Sequence, residues 1–204
     1  LPQVLNVGAR ALTSQGLNVH AGHDDVMGVA DVGWGILFAQ SVQACSDLCL
    51  IARRASEDSL TPFMNVQDGF LSTHTIENLN FPEDALIKEF LGDPRDKIKN
   101  MFDTDFPLQM GVVQNQDAYM QGKIAQRYYY DELPRIIEET MEEFYQLTGR
   151  RYNMLDTYMM DDAEYAIVAM GTMAETCMSV VEEIRNNLGI KLGVIHVTCF
   201  RPFP

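Results

Sequence analysis

The sequence predicts an α/β protein built on parallel sheet, and three observations carry that reading. An apolar, partly β-branched segment at residues 4–7 runs into a loop of polar and small residues. A strongly periodic helix over residues 41–56 separates a Gly- and Val-rich stretch from a second apolar run at 63–66, the pattern of a crossover between parallel strands. Near the C-terminus the pattern recurs, with strands at 166–170 and 192–199 on either side of a helix ending near residue 187.

The elements follow in order. The opening loop reads Gly8-Ala-Arg10-Ala-Leu-Thr-Ser-Gln-Gly-Leu-Asn-Val-His20-Ala-Gly22-His23-Asp24-Asp25-Val26. Glycine lets the backbone bend close to a ligand while polar heads converge on it. Arg10 falls just beyond the carboxyl end of the first strand, where open α/β sheets place their ligands. In the stretch 29–39, Trp34 stands between Gly33 and Gly35, which predicts close backbone packing. The helix 41–56 carries Val42, Cys45, Leu48, Cys49 and Ala52 at helical spacing. Ser41 is its N-cap, and Arg53 and Arg54 are expected near its C-terminus, where the dipole favours cations. Thr61-Pro62 ends the pattern, and the strand 63–66 leads into Gln67-Asp68-Gly69-Phe70-Leu71-Ser72-Thr73-His74. Parallel strands would open this loop and the Arg10 loop on one edge of the sheet.

Pro82 starts a short helix through Phe90, and Asp93-Pro94 and Phe106-Pro107 mark turns. Residues 115–130 interleave polar side chains with Tyr119, Tyr128, Tyr129 and Tyr130, an aromatic group expected to pack on a partner surface. Residues 132–148 form a second amphipathic helix, with Leu133, Ile136, Ile137, Met141, Phe144 and Leu147 on one stripe and Gly149 as its stop. An acidic connection follows, and a domain boundary is expected between Gly149 and Tyr165. The closing Arg201-Pro-Phe-Pro204 is expected to follow a finished strand with nothing to pair or cover it. With an opening at Leu1-Pro2, this predicts an internal piece of a longer protein.

Composition narrows the function classes. The 204 residues are 47% apolar and 22% charged, as in ordinary globular domains. Twenty-nine acids against 15 bases give a net charge of −14. That balance argues against nucleic acid and against anionic lipid. No apolar run approaches the roughly 20 residues of a membrane helix. Cys45, Cys49, Cys177 and Cys199 lack the short spacings of a zinc or iron–sulfur site and read as reduced thiols in a cytoplasmic protein.

Several side-chain groups could carry chemistry. Arg10 has two readings: a planar fork gripping a substrate carboxylate or phosphate, or an ion pair with one of the many acids that orders its loop. His20-x-x-His23-Asp24-Asp25 offers metal-type ligands without the spacing of a strong metal motif, and the alternative is loop histidines bonded to neighbouring acids. Ser72, Thr73 and His74 lack a surrounding Gly-x-Ser-x-Gly elbow. Gly171-Thr172 could hold an anion at a helix N-terminus. The Rossmann and Walker glycine patterns are absent.

Taken together, some of these segments resemble one family. Gly8-Ala-Arg10-Ala-Leu followed by Gly22-His23-Asp24-Asp25-Val is similar to a stretch of the pyruvate:ferredoxin (flavodoxin) oxidoreductases, which act on 2-oxoacids. Val66-Gln-Asp68-Gly69-Phe70-Leu-Ser72-Thr73-His74 resembles that family's Phe-Asp-Gly-Phe-Arg-Thr-Ser-His. Gln114-Asn115-Gln-Asp117-Ala-Tyr119-Met-Gln121-Gly122, Tyr128-Tyr129, Leu147-Thr148-Gly149-Arg150 and Phe200-Arg201-Pro202-Phe203 continue in the family's order.

The resemblance implies a parallel-sheet, pyrimidine-type thiamine-diphosphate-binding fold whose second half is residues 1–154. Residues 155–204 would then begin a transketolase C-terminal-like domain with its first βαβ unit. It implies oxidation of a 2-oxoacid with coenzyme A to an acyl-CoA and carbon dioxide, with electrons passing to ferredoxin or flavodoxin. The complete enzyme would hold thiamine diphosphate, magnesium and iron–sulfur clusters, none bound wholly by this chain, which alone is expected to be inactive. The partners implied are the remaining domains or subunits and a second copy in a homo-oligomer. Arg10 would bind the substrate carboxylate; no cofactor-binding residue and no metal ligand is assigned. Gln67 and Leu71 depart from the family's phenylalanine and arginine, which leaves pyruvate as the default substrate and other 2-oxoacids open. The competing class is a non-catalytic α/β subunit-interaction module.

Overall fold

The computed structural model describes residues 2–99, 101–109 and 111–204. Leu1, on which the reading of an internal piece partly rests, lies outside the described residues. Two sheets organise the described residues, of four and three strands.

In the first sheet, β1 (Val4–Ala9) and β2 (Gly35–Phe38) flank β3 (Phe63–Asp68), and both pairs are parallel. β3 is buried along almost its whole length, as the centre of a parallel sheet requires. The register pairs Ala9 with Asp68, so β1 and β3 finish level and release their loops at one edge. The crossover is α2 (Val42–Ser59), whose Ser41 cap accepts from the Ala44 N–H at 3.2 Å. This helix runs past the expected end at residue 56. Arg53 and Arg54 therefore lie in its body, paired to Glu57 and Asp58 one turn on, rather than capping its last carbonyls.

α2 buries Leu48, Ile51, Ala52 and Ala55 against one face of the sheet together with α6 (Leu133–Thr148). The apolar stripe of α6 supplies Leu133, Ile137, Met141 and Phe144, and Gly149 ends it at a φ of 73°. Between these helices lie α3 (Asp84–Leu91), which contributes Phe90, the short α4 (Pro94–Lys97), and α5 (Gln116–Tyr130). The alternating stretch at 115–130 is thus helical. None of its α5 residues is buried, and Tyr119 and Tyr128 are exposed. The other sheet face packs Ala9, Val26, Ile36, Phe38, Met64 and Val66.

The second sheet holds β4 (Leu155–Tyr158), β5 (Tyr165–Ala169) and β6 (Leu192–Val197) in the order β4-β6-β5. β5 and β6 are parallel and joined by α7 (Thr172–Leu188). β4 pairs antiparallel with β6 and lies inside what reads in sequence as an acidic connection. The run 192–199 is not one strand. The chain leaves the second sheet at Thr198 and enters the first as β7 (Cys199–Arg201), antiparallel to β2. The C-terminal segment is therefore paired, contrary to expectation. The Phe38 N–H donates to the Thr198 carbonyl at 2.7 Å, while the Thr198 N–H donates to Met154 at 3.1 Å, so this one residue stitches both sheets. Among the described residues no helix is long and apolar enough to cross a membrane.

A buried ion pair closes the first unit against the chain leaving α6. Asp47 on α2 is fully buried; Arg150 grips it in bidentate fashion at 2.6 and 2.9 Å, and the Tyr152 hydroxyl donates to it at 2.8 Å. Burial and the neighbouring Asp47 carboxylate push the Tyr152 hydroxyl above its ordinary value, so it stays a donor. Removing the cation strands a desolvated carboxylate. Arg150→Ala should therefore lower unfolding free energy by about 3 kcal/mol in denaturant titrations, with Arg150→Lys in between. A loss under about 0.5 kcal/mol, the scale of ordinary surface substitutions, would contradict this account of the junction.

Candidate functional site

The level ends of β1 and β3 bring both loops to one edge of the sheet, and Arg10 and Gly69 meet there. The Gly69 N–H donates to the Ala9 carbonyl at 3.0 Å, continuing the ladder one step past the strands. Arg10 then lies across Gly69 so closely that a Cβ at position 69 would overlap its Nε and Cδ. Only glycine leaves this path open.

The backbone of Arg10 is held from α1 (Asp24–Met27), a single turn absent from the sequence reading. The Arg10 N–H donates to Asp25 Oδ2 at 3.0 Å, its carbonyl accepts from the Asp25 N–H at 3.4 Å, and the Leu12 N–H donates to Asp24 Oδ2 at 3.3 Å. The side chain is another matter. Arg10 is half-buried, and its guanidinium makes no hydrogen bond or ion pair with any described residue. Every other arginine of this chain pairs with a carboxylate. An unpaired fork at a strand's carboxyl end, in a protein of net charge −14, is available to a carboxylate from outside.

The two histidines of the opening loop part company. His20 stacks on Phe70 with centroids 4.9 Å apart, and Phe70 stacks in turn on His74 at 5.0 Å, joining the two loops by ring contacts. Phe70 holds a left-handed φ of 64°, unusual for a bulky residue, steadied by its N–H donating to Thr73 Oγ1 at 2.9 Å. His23 turns inward against Phe38, and its Nε2 donates to Asp68 Oδ1 at 2.8 Å.

Asp68 is the residue that sequence reasoning passed over. It is 3% exposed and its second oxygen accepts from the Thr172 N–H at 2.8 Å and from Thr172 Oγ1 at 2.6 Å. The anion at the α7 N-terminus is thus the protein's own carboxylate. Gly171 permits the approach, since with its φ of 65° a Cβ would lie 2.5 Å from Asp68 Oδ2. Burial alone would raise the Asp68 carboxyl, but the bonds from His23 and Thr172 outweigh it and hold the group below its ordinary value. A strand-ending acid just before a glycine was the available signal; its distant partner, more than a hundred positions on, was not.

The acids on this edge are therefore committed. Asp24 and Asp25 accept from backbone, with Asp25 also taking the Val26 N–H at 2.7 Å, and Asp68 is saturated. No cluster of three or more His, Cys, Asp or Glu side chains suited to a metal ion occurs among the described residues. His74 Nδ1 meets Thr73 Oγ1 at 2.8 Å, while Ser72 Oγ is buried without a partner among the described residues, so no Ser–His pair forms. All four cysteines are free thiols, and burial pushes Cys199 up to about 12. Between the Arg10 loop and α7 runs a cleft of about 420 Å³, floored by His23, Asp68 and Thr172 and walled by Leu71, Met170 and Met173.

Comparisons with known proteins bear on this edge. Residues 1–142 match the family model described as pyruvate flavodoxin/ferredoxin oxidoreductase, thiamine diphosphate-binding. Residues 163–204 match that of pyruvate:ferredoxin oxidoreductase core domain II. The chain is 37% identical over 205 residues to a pyruvate-flavodoxin oxidoreductase of Klebsiella pneumoniae, covering 100% of this chain and 17% of that protein. It is 35% identical over 206 residues to pyruvate synthase subunit PorA of Thermotoga maritima, covering 100% of this chain and 52% of the subunit. It is 36% identical over 208 residues to a pyruvate:ferredoxin oxidoreductase of Moorella thermoacetica, again covering 100% of this chain and 17% of that protein. The chain thus spans about half the length of the PorA subunit and a smaller part of the longer relatives.

The Asp68 junction has a definite pH signature. Its folded-state carboxyl titrates below the ordinary 3.8, so its contribution is complete above that value and is lost as pH falls through the lower folded one. Asp68→Asn should flatten the acid limb of the stability–pH curve below the ordinary value while lowering stability near neutrality. An acid limb identical to that of the parent protein would contradict the assignment.

Proposed function

The chain belongs to the pyruvate flavodoxin/ferredoxin oxidoreductase family, and we propose that it forms the substrate-carboxylate side of a thiamine-diphosphate-dependent 2-oxoacid:ferredoxin oxidoreductase. The reaction is oxidation of a 2-oxoacid with coenzyme A to an acyl-CoA and carbon dioxide, with electrons going to ferredoxin or flavodoxin. One observation carries the chain's part in it: Arg10, at the carboxyl edge of β1 and β3, is the arginine whose fork has no carboxylate partner among the described residues. A bidentate grip on the substrate carboxylate fixes the neighbouring carbonyl carbon in one orientation, which is what a decarboxylating enzyme needs of its binding residues.

The acids on this edge of the chain do not by themselves fit a magnesium ion. The acids within reach are spent on backbone, His23 and Thr172. The rest of the cofactor site, the magnesium and the iron–sulfur clusters belong in this reading to other domains or subunits of a cytoplasmic homo-oligomer. In isolation the chain is inactive. Residues 1–154 form the pyrimidine-type domain and residues 155–204 the start of the next, a division supported by the second sheet beginning at Leu155.

Leu71 and the two methionines that line the same cleft favour a second reading of the substrate. Leu71 is 48% exposed and shares its cleft with Met170 and Met173, an apolar and adaptable wall two residues beyond the glycine under Arg10. That wall suits a 2-oxoacid with a longer apolar chain than pyruvate. In the complete enzyme, Leu71→Arg should shift kcat/KM toward pyruvate relative to 2-oxobutyrate and an aromatic 2-oxoacid. Ratios unchanged across the three substrates would remove Leu71 from specificity.

Arg10→Ala in the complete enzyme should raise KM for the 2-oxoacid and leave thiamine diphosphate affinity alone. Loss of a charge-assisted bidentate contact costs about 2–3 kcal/mol, a factor of roughly 30 to 150. Arg10→Lys should recover only part of it. Steady-state kinetics with an unchanged KM would sink the assignment and leave the subunit-interaction module as the better account.

A further inference from the structure

Building on the reading of Arg10 as the carboxylate anchor, we propose that Asp68 is a positioning residue that couples the N-terminus of α7 to the Arg10 loop through His23. The connections are continuous. Thr172 donates twice to Asp68 Oδ2, at 2.8 Å from its N–H and 2.6 Å from its hydroxyl. Asp68 Oδ1 accepts from His23 Nε2 at 2.8 Å. An ionised carboxylate only accepts, so Nε2 carries the proton in this bond.

His23 stands immediately before α1, and α1 holds the backbone at the anchor and two residues beyond it: Asp25 at Arg10, Asp24 at Leu12. The His23 side chain makes no capping bond to α1. Its polar contact is the one to Asp68, and its ring rests on Phe38, which pins the turn to the sheet. The Arg10 side chain meanwhile runs over Gly69, directly after Asp68. Arg10 is thus located by two paths, one along β3 and one through His23 and α1, and both start at Asp68.

The arrangement makes α7 part of the substrate site without touching substrate. Thr172 lies at the start of the helix that joins β5 to β6, so a shift of this helix acts on the same carboxylate that orients the anchor loop. Charge-assisted bonds to a carboxylate 3% exposed transmit such a shift better than surface contacts, because neither partner can be replaced by water without cost.

The test uses the complete enzyme with an artificial electron acceptor. Asp68→Asn and His23→Ala are expected to raise KM for the 2-oxoacid about tenfold or more with a much smaller effect on KM for coenzyme A. His23→Gln, whose amide can still donate to Asp68, should restore most of the loss. In an Arg10→Ala background the same substitutions should change KM by less than about twofold, because the residue they position is gone. A KM increase that persists in full in that background overturns the proposal.

Hydrogen exchange of the peptide covering residues 8–13, followed by mass spectrometry in substrate-free enzyme, reads the coupling whatever Arg10 binds. It should be faster in both His23→Ala and Asp68→Asn and near parental in His23→Gln. Unchanged exchange in His23→Ala, which leaves the contact between β3 and α7 intact, also overturns the proposal. If instead exchange accelerates while Arg10→Ala has no effect on KM, the coupling is upheld and the carboxylate reading falls.

Discussion

The Asp68 carboxylate at the end of the central strand is the constraint on which the rest of this edge depends. A buried charge costs several kcal/mol unless its lone pairs are satisfied, and here three donors from two directions satisfy it. That requirement dictates local features that otherwise look unrelated. Position 171 must be glycine to let the carboxylate reach the first turn of α7. His23 must face inward while His20, three positions earlier, is left to stack on Phe70. With His23 fixed, α1 is fixed, and with it the backbone of Arg10.

Electrostatics give the edge its contrast. The chain carries 29 acids and 15 bases, and its arginines other than Arg10 are spent on internal carboxylates, from the buried Asp47–Arg150 pair to exposed pairs along the helices. Surface pairs of that kind stabilise little. Their abundance matters for a different reason: it makes the absence of a partner for the Arg10 fork among the described residues informative. An arginine in so acidic a surrounding, held at its backbone and left open at its fork, is arranged to meet an anion that comes from elsewhere.

Much of the fold was legible in the sequence because its signals are local. The stripes of α2 and α6, the Ser41 cap, the Gly149 stop and the continuous apolar run of β3 each follow from spacing within one element. β4 was not legible, being a short outer strand whose pairing with β6 is set from a distance. β7 was not either: nothing in the run 192–201 marks Thr198 as the point where the chain changes sheets, since both halves are equally apolar and β-rich. The loop carrying Arg10 could be found from the strand before it. The openness of its fork could not, because it depends on where every acid in the fold has gone. Asp68 was hidden for the same reason. Its role lies in contacts to positions 23 and 172, and neither sequence distance carries a periodic signal.

The account stands or falls on what occupies the fork of Arg10. The direct measurement is a crystal structure of the complete enzyme with a 2-oxoacid bound. The account predicts both carboxylate oxygens of the substrate within hydrogen-bond distance of the Arg10 guanidinium, with the His23–Asp68–Thr172 contacts unchanged. A substrate carboxylate held by other groups, with Arg10 paired to an acid of the protein, would contradict it.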